Sequence, residues 1–130
     1  MNLENYFNNV KGLGILATSD AEGNVDAAVY AKPYIIDEKI IAFSMMEHQS
    51  YSNIKANPKA CFLFIEKGDG SKGYRFYLQQ KGEETNPDNI KMLKKTYNII
   101  DIPAGEKRHL VYFKINQIRP LIGDSEKQVE

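Results

Sequence analysis

Apolar and polar positions along this chain change period several times, and the changes divide it into elements. Leu3, Tyr6, Phe7 and Val10 fit one face of a short helix that stops at Lys11-Gly12. Gly14 to Ser19 and Val25 to Ala31 read as strands of a hairpin, joined by Asp20-Ala21-Glu22-Gly23-Asn24, whose residue types accept turn dihedrals. Tyr34 to Ile36 and Lys39 to Ser44 flank Asp37-Glu38 as a second hairpin. Pro33 cannot donate to a ladder, so the chain near it belongs at a sheet edge or bulge. Ser50 to Asn57 reads as a short helix with Ser50 as its N-cap, closed by Asn57-Pro58.

The nearly continuous apolar run Ala60 to Glu66 predicts a strand buried on both faces. A loop rich in glycine and charge, Lys67 to Gly73, leads to a long strand from Tyr74 to Gly82 with Tyr74, Phe76 and Leu78 on one face. Asn86-Pro87-Asp88 combines a cap, a first-turn proline and an acid at the positive end of the dipole. The helix it starts carries Ile90, Leu93 and Tyr97 as its buried stripe to about residue 98. A connector over 99–106 leads to a last strand from Arg108 to Ile118, with Leu110, Tyr112 and Lys114 on one face and Val111, Phe113 and Ile115 on the other. Seven strands that mostly follow one another favour antiparallel pairing and a small closed or nearly closed barrel.

At 130 residues the chain suits one domain with a core that needs no staple, assigned to 1–123 with a polar tail over 124–130. Seventeen basic and seventeen acidic side chains cancel, so no concentrated positive field for nucleic acid is expected. The first residues lack a basic segment followed by an apolar run, and no stretch approaches the roughly 20 apolar residues of a span. A cytoplasmic location without a membrane partner is the expectation. Cys61, the single cysteine, rules out an intrachain disulfide and is expected to be a buried, inert thiol. His48 and His109 lie in separate segments without a second ligand at metal spacing, so no metal site is expected. The loop G-D-G-S-K-G departs from the phosphate-cradling P-loop pattern, and no helix follows it.

The segment with chemical content is Phe43 to Pro58, F-S-M-M-E-H-Q-S-Y-S-N-I-K-A-N-P. A strand ends, a tight loop follows and a helix begins, and the free amides of a helix N-terminus attract an anion. Ser50, Ser52, Gln49 and Lys55 could surround a phosphate there, although an ordinary capped helix would show the same residues.

The opening hairpin G-I-L-A-T-S-D-A-E-G-N-V-D-A-A-V-Y, the second hairpin Y-I-I-D-E-K-I-I-A-F-S and the unit S-N-I-K-A-N-P-K-A carry a resemblance over roughly residues 4–120. Together they resemble the FMN-binding split-barrel family that includes pyridoxamine 5′-phosphate oxidase. The resemblance implies a mainly β fold, a small antiparallel split β-barrel with a few peripheral helices. It implies FMN as cofactor, a homodimer with the cofactor at the subunit interface, and a small-molecule substrate or electron donor. Ser50 falls at the family's phosphate-binding hydroxyl, and Gln49 stands where the family carries a base. Charge would then come from Lys55, His48 or the partner chain. Asn53 belongs to the same strand-helix unit and joins the cofactor-binding set. Val29, Tyr30, Ala31 and Lys32 would run along the flavin ring, with Lys32 near its electron-rich side. Tyr74 and Arg75 would approach from the second subunit.

The function implied is an FMN-dependent oxidoreductase, with no residue singled out as catalytic because the cofactor carries the chemistry. The alternatives are an FMN-holding electron carrier or sensor, or a split barrel that binds haem or deazaflavin. Pyridoxamine 5′-phosphate oxidation itself is not expected, since R-H-L-V-Y-F-K-I-N-Q-I-R-P-L-I-G lacks that enzyme's basic substrate-gripping pattern. The absorbance spectrum of freshly purified protein separates these readings: flavin bands are expected, and a Soret band or a blank spectrum would count against FMN.

Overall fold

The computed structural model describes residues 1–96 and 108–123. Helix α1 (Leu3–Asn9) precedes β1 (Gly12–Ser19), β2 (Val25–Tyr30), β3 (Tyr34–Ile35) and β4 (Ile40–Met46). Then come α2 (Gln49–Ala56), β5 (Lys59–Glu66), β6 (Gly73–Glu84), α3 (Pro87–Thr96) and β7 (Arg108–Pro120). The predicted stripe residue Tyr97, the connector 99–106 and the tail 124–130 lie outside the described residues. No helix among the described residues is long and apolar enough to cross a membrane.

All pairings are antiparallel, in one sheet of order β2-β1-β5-β6-β7-β4-β3. The two edge strands, β2 and β3, are consecutive in sequence, joined only by residues 31–33. In a flat sheet of seven strands these edges would lie about 29 Å apart. Four peptide steps reach at most about 14 Å. The sheet therefore curls until its edges approach, and Pro33 sits buried in the connector where no ladder bond is lost. The mainly β split barrel expected from the sequence is the fold observed.

Phe43, Phe62, Phe64, Phe76 and Phe113 fill the interior, each at most 2% exposed. Helix α1 adds Leu3 and Phe7 to this core, and the Phe7 ring meets Phe64 edge-on at 5.2 Å between centroids. Edge-to-face pairs add to the burial of their rings. Asn2 caps α1 by accepting the Asn5 amide, and Tyr6 ties the helix to the barrel by donating to Glu66 at 2.6 Å.

Two expectations are corrected. Strand β5 alternates: Phe62 and Phe64 are fully buried, whereas Cys61, Leu63 and Ile65 on the other face are half-buried. Hydrophobicity alone does not distinguish a core face from an outer apolar face, and Cys61 belongs to the outer one. Burial still pushes its thiol pKa up, against the opposing charge of Arg75, which keeps it protonated. The second correction concerns α2, which starts one residue earlier than expected. His48 occupies the N-cap position without a side-chain cap bond, and Ser50 lies inside the first turn.

Phe62→Ala should cost about 3–5 kcal/mol in urea unfolding, because a fully buried ring is replaced by a void. Gly14→Ala should cost about 1–3 kcal/mol, since its Cβ would stand 2.5 Å from the Tyr30 carbonyl oxygen and 2.6 Å from the Phe62 ring. An unchanged midpoint in either variant would contradict this packing.

Candidate functional site

The split that gives the barrel its form also opens a cleft. Strand β3 pairs with β4 only at Ile41 and Ala42, so Phe43 to Met46 face the edge of β2 without a ladder. A cleft of about 450 Å³ opens there, within the range of small-molecule sites, roughly 300–1,000 Å³. Strand β2 contributes Asp26, Ala28, Val29 and Tyr30, and the connector adds Ala31 and Lys32. Tyr34, Phe43, Ser44 and Met46 form the opposite wall. His48, Gln49 and Ser50 close one end with the first turn of α2, and Arg108 of β7 completes the lining.

Seven of the eleven residues singled out in the sequence meet in this cleft: Val29, Tyr30, Ala31, Lys32, His48, Gln49 and Ser50. Lys32 lines it, but its ammonium donates to the Phe7 carbonyl oxygen at 2.6 Å. That oxygen lies in the last turn of α1, the negative end of the helix. Lys32 thereby fastens the connector to α1. Ser50 is buried and hydrogen-bonds with Tyr30, whose phenol pKa is raised by burial and by Asp26, against the opposing effects of Ser50 and Arg108.

The other four lie outside the lining. Asn53 is buried behind it, where its amide donates to Thr18 Oγ1 at 3.0 Å and accepts from Gln49 Nε2 at 2.8 Å. This joins α2 to β1 and ties the Gln49 side chain to Asn53. Lys55 is exposed, 3.9 Å from Glu83 and over the Tyr51 ring at 5.2 Å. Tyr74 packs inward against Tyr6 at 5.3 Å between ring centroids. Arg75 lies on β6, where its Nε donates to the Pro120 carbonyl oxygen at 2.9 Å and its Nη2 to that of Gly123.

Among the lining residues that sequence reasoning did not single out, which include Asp26, Tyr34 and Ser44, Arg108 brings a cation. It starts the last strand, and antiparallel pairing sets it opposite Met46 on β4. Its Nη1 donates weakly to Ser44 Oγ at 3.4 Å, and its buried Nε has no partner among the described residues. A buried guanidinium N–H without an acceptor is costly, so an arrangement of this kind suits a ligand that brings one. The only signal for it in the sequence is its place at a strand start, 58 residues after Ser50.

The family model described as pyridoxamine 5′-phosphate oxidase matches residues 6–120. The chain belongs to this family. Group A Streptococcus HupZ shares the fold at a TM-score of 0.73 and 20% identity, with 97% of this chain and 96% of that one covered. An FMN-binding protein from Syntrophomonas wolfei subsp. wolfei matches at 0.72 and 22%, with 95% and 86% covered. An F420 reductase matches at 0.63 and 17%, with 83% and 89% covered. No curated protein sequence matches the chain significantly.

Tyr30 and Tyr51 should ionise later than ordinary tyrosines. Burial raises both, and for Tyr51 a hydrogen bond to Glu83 adds to it. In the unfolded chain both titrate near pH 10, so their contribution to stability is complete below that pH and is lost as pH rises further, through the raised folded values. Absorbance at 295 nm during an alkaline titration of wild type, Tyr30→Phe and Tyr51→Phe checks this. Both variants should lose amplitude from the late phase rather than from the early one.

Proposed function

We propose that this protein is a cytoplasmic homodimeric flavoprotein that holds FMN in the split of its barrel and serves as an oxidoreductase for a small substrate. One observation carries the reading: Arg108, whose buried Nε has no partner among the described residues, lines the same cleft as the α2 N-terminus, which has no side-chain cap bond. Guanidinium and helix dipole together offer a phosphoryl group two sources of positive potential. The residues present therefore fit the anionic tail of FMN, with Arg108, the amides of the first turn of α2 and the Ser50 hydroxyl to hold it. Unpaired backbone along β2 and β4 offers donors and acceptors to the polar edge of a flavin ring. Bound FMN would supply the electron-accepting centre, and the chain binds, orients and shields it. The substrate follows from none of these residues.

A second copy fits the outer face of β2, β1, β5 and β6. Val29, Ile15 and Leu63 form one cross-strand row there, and Arg75 stands next in line. Val25 and Val29 are 82% and 71% exposed, an apolar edge beside the cleft mouth. A copy docked on this face would bury the row and bring its own Arg75 toward the site.

Ser50→Asp should abolish measurable FMN binding, because it sets a carboxylate at the phosphate position. Arg108→Leu should raise the FMN dissociation constant by about tenfold to a hundredfold, the usual span for losing a charge-assisted hydrogen bond. Flavin-fluorescence titration reads both, and wild-type affinity in either variant would refute the site. Leu63→Asp should turn the dimer into a monomer in light scattering. Steady-state reduction by NADH or NADPH with a panel of acceptors then separates an oxidoreductase from a carrier.

A further inference from the structure

Behind the pocket wall sits a cluster that the proposed site does not use. His109 is 4% exposed, and its ring stacks on Tyr51 at 4.0 Å between centroids and 18° between planes. Nε2 lies 2.9 Å from Glu47 Oε1. Nδ1 lies 3.0 Å from Glu83 Oε2 and 2.7 Å from Thr85 Oγ1. The Tyr51 hydroxyl donates to the same Glu83 oxygen at 2.7 Å, and Lys55 Nζ stands 3.9 Å from the other.

Two carboxylates from different elements thus converge on opposite nitrogens of one imidazole. Nε2 hydrogen-bonds with Glu47 and Nδ1 with Thr85, and Glu83 lies within ion-pair distance of Nδ1. Glu83 is held in place by the bond it accepts from the Tyr51 hydroxyl.

What this ring touches is the polar wall of the pocket, one residue removed in each case. Glu47 precedes His48, Tyr51 follows Ser50, and Arg108 precedes His109 itself. Glu83 belongs to β6, two strands from β4 in the sheet, so the ring also ties that wall to the rigid middle of the barrel.

We propose that His109 is a positioning residue of the phosphoryl site: clamped by Glu47 and Glu83 and stacked on Tyr51, it holds Arg108 and the first turn of α2 at the spacing one anion bridges. The proposal rests on the reading of the split as a flavin-phosphate site. It differs from a purely structural role in acting on the phosphate end of the ligand and not on the ring end.

The test compares FMN with riboflavin, which shares the ring and lacks the phosphate, by fluorescence titration of wild type, His109→Leu and Glu47→Gln. The expected dissociation constant for FMN rises by about tenfold in His109→Leu and about threefold in Glu47→Gln, while that for riboflavin moves by less than about twofold. Equal weakening of both ligands, or unchanged FMN affinity, overturns the proposal. Should His109→Leu fail to fold, Glu47→Gln decides, because the Glu47 side chain is 54% exposed and its loss does not threaten the core. If wild type binds neither flavin, the functional reading itself has failed, and amide exchange then tests the clamp alone. Faster exchange confined to residues 52–54 and 108 in Glu47→Gln supports it, and unchanged or protein-wide exchange overturns it.

Discussion

Residues 31–33 have to carry the chain from one edge of the sheet to the other. A short tether between non-neighbouring strands forces curvature, and the curvature encloses the phenylalanine core. It also leaves β2 and the end of β4 facing each other across a gap that no ladder fills. Pro33 and Lys32 both serve this junction. The proline lacks an N–H that would need a partner, and the lysine fastens the connector to α1. The cleft is therefore a product of how the barrel closes.

The polar end of that cleft depends on a second meeting of distant segments. Helix α2 brings uncapped amides and Ser50, and β7 brings a guanidinium from the far side of the sequence. Asn53 fixes the helix from below by bonding to Thr18 of β1 and Gln49 of its own first turn. With Gln49 drawn toward Asn53, Arg108 is the cation at this end of the cleft, while Lys32 is engaged by the Phe7 carbonyl oxygen. Burial matters here as much as charge, because a buried N–H has no water to satisfy it and attracts an anion in a medium of low dielectric.

The outer surface follows from the same alternation that builds the core. Strand residues of one parity fill the barrel, and those of the other parity on β1, β2 and β5 are largely apolar as well. A strand with apolar residues on both faces reads as doubly buried in a one-dimensional pattern. In this barrel the second face belongs to the exterior, beside the mouth of the cleft. That placement connects the proposed dimer to the proposed site through Val29, which belongs to both.

Local physics was enough to locate the elements. Period, turn residues and proline positions placed α1, the two hairpins, α2, β5, β6 and β7 within a few residues, because each signal involves near neighbours in the chain. The strand, tight loop and helix start of the Phe43 to Pro58 segment were legible for the same reason, since all three lie within 16 residues. The tertiary structure alone decided which side chains share the cleft. Strand pairing set Arg108 against Met46, and cross-sheet contacts gathered Glu47, Glu83 and Tyr51 around His109. Solvent exclusion sent Lys55 outward, Tyr74 inward and Asn53 behind the wall. Register and burial arise from contacts between residues far apart in the chain, and no window along a sequence contains that information.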